Sequence, residues 1–110
     1  GKDFEIITTK KSAPKVRFDN GPDIVILNTS TEPISFTFKV DQNWLQAPGG
    51  LTIQSGESKT VKLNTTNKTK GLRPTGWGKA RDYNGKVTVT GGGESVTFSA
   101  HLRKNKKGSV

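Results

Sequence analysis

An all-β sandwich of seven strands is the fold class that this chain predicts, and three observations carry the prediction. Thr, Val and Ile are abundant, Ala and Leu are sparse and Met is absent, a balance that suits pleated strands better than helices. Apolar and polar residues alternate at strand period in "ISFTFKV" (34–40) and "SVTFSAHL" (95–102), and no window places apolar residues at helical spacing. Short β-like segments recur between turn signals along 110 residues, a length that supports one core.

Taken in order, "FEIITT" (4–9) and "KVRF" (15–18) flank "KKSAP", where Pro14 breaks one edge strand into two halves. "DIVILN" (23–28) is a nearly continuous apolar run, as a central strand would be. In 34–40 the residues Ile34, Phe36, Phe38 and Val40 point inward. "LTI" (51–53) is a short strand, and "KTVKLNT" (59–65) alternates again through Val61 and Leu63. "KVTVT" (86–90) and 95–102 surround "GGGE" as a hairpin with Val87, Val89, Val96, Phe98, Ala100 and Leu102 inward. The expected core is Phe36, Phe38, Val61, Leu63, Val87, Val89, Val96 and Phe98. Residues 1–103 form the single domain, and 104–110 a basic tail or linker.

Composition narrows the function classes. Leu, Ile, Val and Phe number 25 of 110, enough for a core but leaving little for a large apolar interface. Without cysteine there is neither a disulfide nor a thiolate metal site, and no apolar run approaches membrane-spanning length. The formal charge of +9 points to an anionic partner, although many basic domains are merely soluble. The 66–84 stretch, with Lys68, Lys70, Arg73, Lys79 and Arg81 against Asp82, contributes a net +4. Arg103, Lys104, Lys106 and Lys107 contribute another +4.

Within that stretch Trp77 stands between Gly76 and Gly78, which remove local side-chain support. A flat ring beside ammonium and guanidinium groups suits stacking on a sugar or base while an acidic group is paired. A Trp77 folded back over the sandwich, with solvated basic neighbours, accounts for the same residues. Both readings stay open. Trp44, next to Leu45, reads as core rather than as a sugar platform. Tyr83, ahead of an "NG" turn and the sixth strand, reads as a corner tyrosine of the scaffold.

Catalysis finds little support. His101 is the only histidine and falls on the outward phase, a surface strand residue rather than a general base. The carboxylates sit mostly in turns without paired spacing, "GGGES" is no nucleophile elbow, and "GWGKAR" lacks the context of a phosphate loop. "DNGPD" (19–23) is read as a turn rather than a calcium loop. The expectation is a non-enzyme with no cofactor and no metal. Sequons at Asn28, Asn64 and Asn67 carry little weight in so Thr-rich a chain.

"NTSTEPISFTFKVDQNWLQAPGGLTIQSGESKTVKLNTT" followed by "YNGKVTVTGGGESVTFSAHL" resembles the BACON-like, immunoglobulin-type accessory modules of bacterial secreted proteins. The shared pattern is an Asn-ended strand, an alternating strand, "WL" with a small turn, "G-x-S" before another strand, and "Y-x-G" opening the final hairpin. The resemblance covers residues 23–102 and implies an immunoglobulin-like sandwich in a secreted or cell-surface protein, a module that binds polysaccharide or acts as a spacer. The charge favours an acidic polysaccharide. Nucleic acid is disfavoured, because the strands lack exposed aromatic pairs. The chain departs from the pattern between Leu72 and Tyr83, where "RPTGWGKARD" extends the loop between the fifth and sixth strands. The expected ligand-binding residues are therefore Trp77, Lys68, Lys70, Arg73, Lys79 and Arg81. "ILNTSTEPISFTFKV" is also similar to major-sperm-protein-type sandwiches, which implies the alternative of a structural, protein-binding sandwich.

Overall fold

The computed structural model of the protein describes residues 3–8, 15–17, 23–72 and 81–104. These residues form an all-β sandwich. One sheet has the order β1-β3-β7, built from Phe4–Thr8, Asp23–Asn28 and Ser58–Lys62. The other has the order β2-β10-β9-β4-β6, built from Lys15–Arg17, Glu94–Lys104, Arg81–Gly91, Ile34–Val40 and Leu51–Ile53. A small ladder joins β5 (Leu45–Gln46) to β8 (Asn64–Thr65).

The broken edge strand divides between the sheets. β1 runs antiparallel to β3, with Phe4 opposite Asn28, whereas β2 runs parallel to β10, with Val16 opposite Ala100. The expected 59–65 strand also divides: β7 pairs with β3, and β8 pairs with β5 on the far side of the buried Leu63. The described residues thus form ten strand segments rather than seven, since two segments change partners and β5 was unforeseen. Lys104, placed in the tail by its charge, is the last residue of β10.

Alternation does set the inner faces. Ile24 and Ile26 from one sheet meet Phe36, Phe38, Val87, Val89 and Phe98 from the other, all buried. Phe4 and Phe36 join the sheets edge to face, ring centroids 5.0 Å apart. Val96, expected in the core, is only partly buried and packs at its margin. Trp44 is 2% exposed and belongs to the core. The β9–β10 hairpin turns through Gly92 and Gly93, whose φ of +58° and +78° are values at which a side chain would be strained.

One polar residue is fully enclosed. Asn28 donates through Nδ2 to the carbonyls of Glu32 (2.8 Å) and Ile53 (2.9 Å). Its Oδ1 accepts from Ser30 N (2.9 Å) and Ser30 Oγ (2.7 Å). Its backbone N–H donates to Glu57 O, and its carbonyl accepts from Gly56 N, each at 2.9 Å. A sequon at a side chain with no exposed surface and no spare hydrogen bond is not a surface acceptor in the folded domain.

Asn28→Asp keeps the shape but loses both donors. It is expected to cost about 3 kcal/mol of unfolding free energy in urea titration, because the buried Ile53 carbonyl loses its donor and both it and Glu32 O then face a charge. Phe36→Ala should cost about 3–5 kcal/mol by opening a cavity between the sheets. In a Trp77→Phe variant, Trp44 is the sole tryptophan, and its emission should be blue-shifted and resist acrylamide quenching until the domain unfolds.

Candidate functional site

The residues following β8 are tied to the turn before β5. Thr66 donates from N to Trp44 O (2.9 Å) and from Oγ1 to Asn43 O (2.7 Å). The same Oγ1 accepts from Lys68 N at 3.2 Å and so caps a 3-10 turn over Asn67–Gly71. Leu72 closes that turn onto the margin of the core. The opening of the 66–84 stretch is therefore an anchored turn carrying Lys68 exposed on its surface. Lys70 lies in the same turn, its side chain outside the described residues.

Arg81 is not in a loop. It opens β9 opposite Lys104 of β10, and its guanidinium carbon lies 5.3 Å from the centroid of the Tyr83 ring. Tyr83, expected just ahead of a strand, lies inside one and packs half-buried against the core margin, with Leu102 opposite. The polar "RDYNG" is drawn into the ladder because β10 continues opposite it. Gly85 is required there, since a Cβ would come within 2.5 Å of Leu45 Cδ1. Trp77, Arg73 and Lys79 lie outside the described residues. So does Asp19, and of Asp23 the described part is its backbone, opposite Lys62.

His101 corrects its expectation. Its phase is the outward one, yet it is 7% exposed. Nε2 lies 2.9 Å from Asp82 Oδ1, and Arg103 Nη1 reaches the same oxygen at 3.9 Å. Nδ1 is buried and has no hydrogen-bond partner among the described residues. The imidazole is thus oriented by a carboxylate but is not hydrogen-bonded to a hydroxyl that it could activate.

Charge separates along the strands. Lys62, Lys68, Arg81, Arg103 and Lys104 gather at the end where β7 and β10 finish and β9 begins. Of the acids at that end, the two whose side chains are described are engaged: Asp82 with His101 and Arg103, and Asp41 through Oδ1 with the backbone N–H of Lys86 at 2.7 Å. The opposite end carries Asp3, Glu5, Glu32, Glu57 and Glu94. Lys59, the cation toward that end among the described residues, spends its ammonium on Thr52 O at 3.1 Å. No described helix is long and apolar enough to cross a membrane.

No family model matches the chain, and no curated protein does. Among solved structures, it is similar to a chain of the chaperone–tip adhesion subunit pre-assembly complex (CsuC–CsuE) from archaic chaperone-usher Csu pili of Acinetobacter baumannii, with a TM-score of 0.58 at 16% identity. The match covers 97% of this chain and 58% of that one, so the chain spans rather more than half of the matched protein's length. The likeness is one of fold: the two packed sheets are those of an immunoglobulin-like sandwich.

Proposed function

We propose that this protein is a non-catalytic, BACON-like accessory module of a secreted or cell-surface protein. It holds an acidic polysaccharide at the end of the sandwich where the 66–84 stretch begins and ends. The single observation that carries the reading is the separation of charge: exposed cations converge at that end while the carboxylates of the described residues lie mostly at the other. Such an arrangement raises the local concentration of a polyanion at one pole and repels it at the other, weakly and with strong salt dependence. Lys68 and Arg81 would form the rim of the site. Trp77, with Arg73, Lys79 and Lys70, would supply the stacking ring and further cations from the extended loop.

The second reading is a protein-binding sandwich of the major-sperm-protein type, in a periplasmic or secreted setting. It is favoured by the fold shared with a chain from a chaperone–subunit complex, and it would use strand edges rather than the basic pole.

Retention on immobilised polygalacturonate or a sulfated glycan tests the first reading. The domain should bind at low ionic strength, elute with modest salt and pass through a neutral glucan column. Lys68→Glu with Arg81→Glu should abolish retention at unchanged melting temperature. Trp77→Ala should weaken binding by roughly 1–3 kcal/mol. A domain that flows through every anionic matrix at low salt would sink this function and leave protein recognition as the better account.

A further inference from the structure

We infer that the polysaccharide site extends from the basic pole onto the outer face of the five-stranded sheet, into a groove between Lys39 and Lys86. This deepens the function proposed above and rests on it. The groove is lined by Lys39, Val40, Asp41, Lys86, Thr88 and Thr97. Lys39 pairs with Thr88 across β4 and β9, so Lys86 is its diagonal neighbour on the same face, with Cβ atoms roughly 7 Å apart. Two exposed ammonium groups at that spacing repel each other, and neither forms an ion pair among the described residues. The nearest carboxylate, Asp41, gives an oxygen to the amide of Lys86 rather than lying between the two side chains. A like-charged pair on an open face costs stability, and an acidic group placed between the two ammoniums relieves it.

The groove is joined to the pole by one short turn. At one end of that turn Asp41 binds the Lys86 backbone in both directions, N–H to O at 3.2 Å and Oδ1 from N–H at 2.7 Å. At the other end, Asn43 and Trp44 hold Thr66, the cap of the turn that carries Lys68. Arg103, opposite Asp82 on the same outer face, lies six residues along β9 from Thr88, roughly 20 Å, so one extended oligosaccharide can reach from the pole to the groove.

Below the lysines the face becomes a field of hydroxyls. Thr88 and Thr97 bond across β9 and β10 at 3.0 Å, Thr90 and Ser95 at 2.9 Å, and Ser35 and Thr52 across β4 and β6 at 2.9 Å. Each hydroxyl has two acceptor lone pairs and one donor, so capacity toward solvent remains after these bonds form. The face carries no exposed aromatic ring among its described residues, His101 being buried, so it offers hydrogen bonds to sugar hydroxyls but no stacking platform to bases. The chemistry fits a uronic-acid or sulfated polysaccharide, with acidic groups on the lysines and hydroxyls on the threonines.

The test is an amide-resolved NMR titration of the labelled domain with a purified oligogalacturonide, run beside single-stranded DNA of similar charge. Shifts should appear at Lys39, Lys86, Thr88 and Thr97 together with Lys68 and Arg81. Lys39→Ala with Lys86→Ala should lower affinity roughly tenfold. The same variant should keep or raise its melting temperature, because a repulsion is removed. Binding with shifts confined to the pole, or unaffected by the double variant, overturns the extension and leaves the proposed function standing. Absence of any binding overturns both. A groove that responds to DNA but not to the oligogalacturonide overturns the assignment to polysaccharide.

Discussion

The side-chain amide of Asn28 is the constraint on which the two-sheet arrangement rests. It is a polar group with no contact with water, at a cost of several kcal/mol had its donors and acceptor been left unmatched. Matching them requires the end of β3, the turn at 30–32 and the end of β6 to be in place together, while its backbone holds the 54–57 turn. β3 and β6 belong to different sheets, so these bonds set how the sheets meet. The edge-to-face contact of Phe4 with Phe36 lies at the same end and adds apolar contact to the polar lock. One end of the sandwich is thereby closed by short, fully bonded turns. The other is left to carry longer loops.

The inner faces were legible because a two-residue period survives whatever the strand pairs with. Phe36, Phe38, Val61, Leu63, Val87, Val89 and Phe98 could be placed in the core from alternation alone. Hydrogen-bond partners are another matter: Val61, Leu63 and Thr65 continue one period, yet the ladder passes from β3 to β5 at Leu63. Period reports which face is covered and is blind to the neighbour. The same blindness affected His101, whose phase was right but whose burial beside Asp82 of β9 a period cannot report. The polar start of β9 read as loop because its strand character comes from β10 rather than from its own residues. Asn28 was visible as the residue ending a strand, but an asparagine at a strand end usually marks a turn, and its partners lie as far away as Ile53.

Of the candidate site, the net charge was legible and its geometry only partly so. Summing charges over the 66–84 stretch and the C-terminal run pointed to one pole. It gave no sign that Arg81 would lie along the Tyr83 ring, or that Asp41 and Asp82 would already be engaged. The Lys39–Lys86 pair was invisible because its members sit 47 positions apart in segments that look unremarkably strand-like. Adjacent strands bring them onto one face, and register decides that they are diagonal neighbours.

The division of the first edge strand between sheets has a mechanical consequence. A pull on β2 toward its start and on β10 toward its end acts along the strands. β2 and β10 run parallel, and a pull toward opposite ends loads their hydrogen bonds together in shear rather than one at a time. A sandwich held in this way resists extension until the whole patch yields, and then lengthens abruptly.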